Sequence, residues 1–504
     1  MRNKGRLWKI AAWRGFRRAV LSFFFVLPMF VGTGYALQPF EVQAPLVAFT
    51  EYLDGRIALL MAQYGVPGVS IALVRGGKLA WSGAYGYADL EHGRKMTVDA
   101  VFRVESISKS VTAWGVMKLV QQGLVSLDDP VQQYLGDWKL PESAYSEQKV
   151  TIRRLLSNSA GMPLGTIGEE YSPQSDMPSL QETLAIEARL VHEPGSGFFY
   201  SNAGFHLLEL LVEEVTGRDF AEYMAEEVLI PLDMHNSAFA WNETLKAAIP
   251  TGYDLQGNPV PVYVYPAKAS GGLLATVEDI ARFVSAGMAG PYYEDHGVLE
   301  QESIRELYMP EIDVPGLLGA VADAYGLGYF LENLSDGRQA VWHGGQGHGW
   351  MSHFHAVPET GNGIVILTNS QRSWPLIAQV LNDWARWNGF NSVKMGRITY
   401  ATTALRVLTG IVVLVSLLQM FLLVRGLRSG TRRFAPLSGN HRKVRLLQVV
   451  LGTAVIAALA WSAAQPYLMV SSIFPATAGW AGGSFFVLAV IAVLSALVPR
   501  MEQR

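Results

Sequence analysis

Residues 68–87 read GVSIALVRGGKLAWSGAYGY: two β-rich runs, 69–74 and 78–87, parted by Arg75-Gly76-Gly77. A Gly-Gly pair accepts the positive φ angles of a two-residue turn, so the stretch predicts a β-hairpin. Toward the other end of the chain, 325–331, 338–342, 353–357 and 363–368 also predict strands, with turn-rich breaks at 333–337 and 358–362. The pattern between these β regions is mostly helical. Residues 106–122 carry Val111, Trp114, Leu119 and Val120 as the apolar side of an amphipathic helix that stops at Gly123, and 203–216 stops at Gly217. Helices inserted between the first and last strands of one antiparallel sheet predict an α+β domain, its sheet completed by the two ends of the segment.

The rest of the chain has another solvent. Of 504 residues, 50% are apolar and 16% charged, with mean hydropathy +0.19, so part of the protein is expected in lipid. Residues 37–400 hold 23 basic and 42 acidic side chains, a net −19 that argues against nucleic acid as a partner. Cysteine is absent, which excludes disulfides, thiol catalysis, zinc-thiolate sites and cysteine-ligated iron–sulfur clusters.

At the N-terminus, seven basic residues within 1–18 precede an apolar stretch, 19–32, and then Gly34-Tyr35-Ala36. This predicts a secretory signal cut near Ala36, or an uncut anchor, over 1–36. Three apolar runs, 407–424, 446–464 and 478–498, each have the length of a membrane span. The loop 425–445 carries seven basic residues and no acid, whereas 465–477 has no charge. By the positive-inside bias the basic loop is cytoplasmic, so the segment 37–400 is expected outside the cytoplasmic membrane, with 401–504 anchoring it in lipid.

Ser106-Ile107-Ser108-Lys109 places a serine and a lysine three apart at a predicted helix start, within reach of one another. A serine hydroxyl needs a base to become a nucleophile, and a lysine in a cleft loses its proton near neutral pH. A second match, Ser146-Glu147-Gln148-Lys149, has no apolar helix behind it and is set aside. Tyr200-Ser201-Asn202 offers a phenol for proton transfer and an amide for a substrate carbonyl, and His343-Gly344-Gly345 lies by a late strand where glycines let a substrate approach. His343, His348, His353 and His355 fall close together, but without an acidic residue in that stretch a metal site is not expected. The polar stretch 167–179 reads as a surface loop or a cover.

In this order, Ser-x-x-Lys, Tyr-x-Asn and His-x-Gly resemble the serine β-lactamase and penicillin-binding-protein superfamily, most closely its class C-like branch. Gly65-Val66-Pro67-Gly68, Ser270-Gly271-Gly272-Leu273 and residues 151–163 look like further landmarks, so the likeness covers most of 50–385. It implies acyl transfer without a cofactor. Ser106 would be the nucleophile, Lys109 and Tyr200 would handle its proton, and Asn202 would bind the substrate amide. Backbone amides of Ser106 and Gln346 would form the oxyanion hole, with His343, Gly344 and Gly345 beside the substrate. Where Lys-Thr-Gly is usual in penicillin-binding proteins, this chain has His343-Gly344-Gly345. A mostly neutral imidazole weakens recognition of a substrate carboxylate and favours peptides of D-amino-acid type, simple amides or esters. A β-lactamase, a DD-carboxypeptidase and a slow penicillin-binding sensor remain as alternatives. The layout, an exported hydrolase followed by three spans, is similar to membrane-bound peptidases that activate acylated prodrugs, and it implies a bacterial cytoplasmic membrane with the catalytic domain on the periplasmic or extracellular side.

Overall fold

The computed structural model describes residues 40–165, 170–436, 441–465 and 469–500. The expected signal or anchor at 1–36 lies outside them, as does the start of the polar stretch 167–179.

Helix α1 (Leu46–Tyr64) buries Phe49, Leu53, Ile57 and Leu60 and ends where Gly65 turns left-handed. Among the described residues one antiparallel sheet has nine strands: β1 (Gly68–Arg75), β2 (Lys78–Asp89), β3 (Arg94–Lys95), β4 (Ile312–Asp313), β5 (Ala324–Tyr325), β6 (Phe330–Asn333), β7 (Gln339–Gln346), β8 (Met351–Val357) and β9 (Asn362–Thr368). Their spatial order is β3-β2-β1-β9-β8-β7-β6-β5-β4. The hairpin therefore pairs with the last strand, Ile71 opposite Ile366, and the two ends of the segment close one sheet as expected. Gly76 and Gly77, both at positive φ, make its two-residue turn.

Both faces of the sheet are covered, which the two-residue period of the strands permits. Val69, Ile71, Leu73, Ile364 and Ile366 point to α1 and α6 (Trp374–Trp387), and the alternate Ala72, Val74, Val365 and Leu367 point to the main core. That core holds α2 (Ile107–Gln121), α3 (Leu180–Glu187), α4 (Asn202–Thr216) and α5 (Val277–Ala286). Helix α2 is not the amphipathic element expected: all but Lys118, Val120 and Gln121 are buried. Its small residues, Ser108, Ser110, Ala113 and Gly115, let neighbours close in from every side, and a Cβ on Gly115 would strike the Met224 sulfur.

The strand expected at 325–331 divides into β5 and β6. Gly328, at positive φ, turns the chain onto the backbone of α2, where its carbonyl accepts the Ser110 hydroxyl at 2.7 Å. Strand β7 runs to Gln346, four residues past the expected end, and carries the His-Gly-Gly motif inside the sheet.

Among the described residues three helices are long and apolar enough to cross a membrane: α7 (Arg397–Arg428), α8 (Arg442–Ala463) and, after the short α9 (Met469–Ile473), α10 (Thr477–Leu497). Helix α7 runs unbroken through the boundary expected at 400. Its root is fixed to the connection between β4 and β5 by Arg397, which donates to the Ala320 carbonyl, and by an ion pair between Lys394 and Asp323. Helix α9 packs on α6, with Ile473 against the core on that side.

Candidate active site

Ser106 stands at the N-terminus of α2, directly after Glu105, whose φ of 50° is left-handed. A non-glycine residue held there stores strain that its surroundings must fix. Arg103 Nε and Tyr263 Oη donate to one Glu105 oxygen at 3.0 and 3.1 Å, and Tyr265 Oη donates to the other at 3.0 Å. The Ser352 hydroxyl holds the Val104 carbonyl at 2.7 Å. Ser106 is thereby locked from the preceding residues, and its side chain makes no cap of its own.

Lys109, one turn along, is fully buried, with Nζ 3.2 Å from Ser106 Oγ, 2.8 Å from Asn202 Oδ1 and 2.8 Å from the Ser270 carbonyl. Burial lowers its pKa to about 7, against an opposing pull from Glu105. Tyr200 stacks its ring 4.9 Å from the Lys109 nitrogen; burial raises the phenol well above its usual value, against a smaller opposing pull from Ser106. Asn158, itself left-handed, clamps the segment around Tyr200: its carbonyl accepts from Phe199 N at 2.7 Å and its side chain from Ser201 N at 2.9 Å.

The structure brings Ser106, Lys109, Tyr200 and Asn202 together. The second Ser-x-x-Lys sits on the surface, where Lys149 pairs with Glu193.

His343 takes another setting. It is buried, its Nδ1 lies 2.9 Å from the Gly344 carbonyl and its Nε2 3.2 Å from Tyr325 Oη. The carbonyl requires the hydrogen on Nδ1, so Nε2 accepts the phenol's. Burial and the Lys109 charge lower its pKa to about 3, so the ring is neutral. The space beside the two glycines is filled by the protein: a Cβ on Gly344 would meet Trp374, and one on Gly345 the Val104 carbonyl and Ser352. Gly345 lets β7 press on the segment that carries Ser106, and Gly344 lets it press on Trp374 of α6. At the end of β7, the Gln346 side chain accepts from Trp374 Nε1 at 2.8 Å and donates to Ser472 Oγ of α9 at 3.4 Å, so the segment between the last two apolar helices reaches the edge of the site.

His353 and His355 share one face of β8, fully buried, 3.4 Å apart, while His348 pairs with Glu170 at 3.1 Å. Among the described residues no three His, Asp or Glu side chains are placed to hold a metal ion.

Sequence reading marked the stretches of Asn158 and Ser270 only as landmarks, without a role, and missed Tyr325 and His206. The last was within reach: Asn202, His206 and Glu209 recur at i, i+4 and i+7 through the otherwise apolar stretch 202–212 of the helix, which puts three polar groups on one buried stripe.

A family model described as Beta-lactamase matches residues 53–380. Protein flp of Staphylococcus aureus (strain MRSA252) is 28% identical over 324 residues, 63% of this chain and 62% of that protein, so the chain spans under two thirds of that relative. The Putative beta-lactamase-like 1 of Homo sapiens is 25% identical over 350 residues, 66% of this chain and 68% of that protein. Among solved structures, the octameric penicillin-binding protein homologue from Pyrococcus abyssi superposes with a TM-score of 0.55 at 29% identity, covering 64% of this chain and 73% of that one. The beta-lactamase/D-alanine carboxypeptidase from Pseudomonas syringae, at 20% identity and a TM-score of 0.54 over 64% of this chain and 94% of that one, shares the fold.

Proposed function

This chain belongs to the β-lactamase family, and from that premise we propose that it is a membrane-anchored serine acyl hydrolase working through an acyl-enzyme on Ser106. The observation that carries the reading is the environment of Lys109. Two obligate acceptors, Asn202 Oδ1 and the Ser270 carbonyl, each lie 2.8 Å from its nitrogen. A neutral amine gives its two hydrogens to them, and its lone pair is left facing Ser106 Oγ at 3.2 Å. Lysine then takes the serine proton as Ser106 attacks the substrate carbonyl.

Tyr200 is the poorer base, because its burial disfavours the phenolate; its O–H gives a proton to the leaving amine or alcohol and regains one from protonated Lys109, which returns the lysine to its neutral form. The backbone amides of Ser106 and Gln346 hold the oxyanion, and Asn202 orients the substrate amide. Water then cleaves the ester on Ser106, returning the hydroxyl and releasing the acid.

The substrate class follows from His343. A neutral ring whose two nitrogens are engaged by Gly344 and Tyr325 supplies no positive charge for a carboxylate. This supports peptides of D-amino-acid type, simple amides or esters over penicillins and DD-peptides. The full chain is expected to turn over a simple acyl ester at least tenfold faster, in kcat/KM, than a cephalosporin. A preference for the cephalosporin would sink the substrate assignment.

Orientation outside the cytoplasmic membrane, with 401–504 as the anchor, is supported by the basic loop at 425–445 and by the contact of α9 with Gln346. To test the reaction class, the protein is treated with a fluorophosphonate and, separately, with a fluorescent penicillin, and adducts are mapped by mass spectrometry. Labelling of Ser106 by the fluorophosphonate alone is expected. Lasting penicillin labelling of Ser106 would replace the hydrolase with a penicillin-binding sensor, and no adduct at all would remove the serine chemistry.

A further inference from the structure

Behind Lys109 lies a second set of buried polar groups that the chemistry above does not use. His206, on α4, has Nδ1 3.0 Å from Glu187 Oε2 and Nε2 2.8 Å from Ser270 Oγ. All three side chains are buried. The carboxylate takes the Nδ1 hydrogen, so Nε2 accepts from the Ser270 hydroxyl, and the order acid, histidine, serine ends on the residue whose carbonyl binds Lys109 at 2.8 Å.

The same stripe of α4 grips the adjoining backbone. Glu209 accepts from Lys268 N at 2.6 Å and Ala269 N at 2.7 Å, while the Thr112 hydroxyl of α2 holds the Ala269 carbonyl at 2.9 Å. The turn at 268–271 is thus fixed on α4 at two successive points. Asn202, the first member of the stripe, supplies the other acceptor to Lys109. One helix face sets both directions in which the lysine hydrogens point, and so the direction of its lone pair.

We propose that His206, held by Glu187, is a positioning residue for the reaction: through Ser270 it aims the carbonyl that orients Lys109 toward Ser106. The inference rests on the reading of Ser106 and Lys109 as nucleophile and base. His206 touches neither of them directly, so its loss acts on the chemical step and leaves ground-state binding alone. An aimed carbonyl also favours the charged lysine more than the neutral one, since an ion–dipole contact is stronger than a neutral hydrogen bond. Releasing it lowers the pH at which Lys109 loses its proton. The groups facing Lys109 are Glu105, Tyr200 and His343 besides His206, and those facing His206 are Glu187 and Lys109. None of the others is altered by the substitutions below.

The test uses the full chain in detergent and follows the pH dependence of ester turnover. His206→Phe is expected to lower kcat ten- to a hundredfold with KM within twofold, and to move the acid limb downward by half a pH unit or more. His206→Gln, which can still accept from Ser270 and donate to Glu187, is expected to restore most of kcat and the position of the limb. Ser270→Ala removes only a hydroxyl, keeps the carbonyl in the chain, and is expected to lower kcat five- to tenfold; it serves if the phenylalanine variant does not fold. Wild-type kcat and an unmoved limb in Ser270→Ala and the folded His206 variants would overturn the proposal. So would a loss confined to KM. Fluorophosphonate labelling separates this failure from a deeper one: if Ser106→Ala is still labelled, the reading of the site itself is wrong, whereas an unlabelled Ser106→Ala with unaffected His206 variants removes the positioning role alone.

Discussion

Ser106→Ala is expected to reduce ester turnover about 10⁵-fold or more, the scale seen when a nucleophile is removed from a serine hydrolase, and to abolish fluorophosphonate labelling. Its thermal midpoint is expected within a few degrees of the wild type. The structural reason for this separation is local. Ser106 is the N-cap residue of α2, yet its hydroxyl caps no backbone amide, so the usual penalty for deleting an N-cap side chain does not arise. What holds the position is the backbone: Glu105 tied by Arg103, Tyr263 and Tyr265, and Val104 held by Ser352. The alanine variant keeps all of these. Activity and melting are measured on the same preparation, and turnover above a thousandth of wild type would show that another group attacks the substrate.

The two features that decide the reading differ in how far they were legible in the sequence. The hairpin was visible because Gly76-Gly77 is a local signal that needs no partner, and Ser106, Lys109 and Tyr200 were visible because short motifs mark them. The strand at 325–331 was overcalled because nothing in its composition says that Gly328 must lie on the backbone of α2. The setting of His343 was hidden for a related reason. Sequence gives a histidine and its ordinary pKa, but the drop to about 3 comes from burial and from the Lys109 charge, against the Gly344 hydrogen bond, and both causes depend on residues far apart in the chain. The neutral ring expected from chemistry alone is present, but it faces inward, and the glycines beside it make room for protein. Charge on helices was the reverse case. A histidine and a glutamate at i+4 and i+7 from Asn202 were readable as one face, and their burial gave them a meaning that the exposed face of an ordinary helix would not have.

Lys109→Met separates catalysis from stability in the opposite direction to most core substitutions. Turnover is expected to fall about 10³-fold or more, since a positioned base contributes about 10²- to 10⁴-fold and its removal also leaves Asn202 without the partner that orients it. In the wild type, the rate should rise with pH through an acid limb near 7, where Lys109 becomes neutral; the residual rate of the variant should lack that limb. Stability carries the sharper sign. The lysine has an ordinary pKa of 10.5, lowered to about 7 in the fold by burial. Between these values the unfolded chain binds one more proton than the native one, so the group's contribution rises with pH across that window and is at its most unfavourable at and below about 7. At about 1.4 kcal/mol per pH unit the full window amounts to about 5 kcal/mol. Methionine removes that burden but leaves Asn202 Oδ1 and the Ser270 carbonyl without a donor, at about 1–3 kcal/mol each. The two effects nearly offset at and below neutral pH and diverge above it, where the wild type gains stability. Relative to wild type, Lys109→Met is therefore expected to melt highest at pH 6 and to lose ground steadily toward pH 9. Melting curves of the two proteins that ran parallel across that range would mean that Lys109 keeps its proton throughout, and the lone pair that the proposed mechanism directs at Ser106 would not exist.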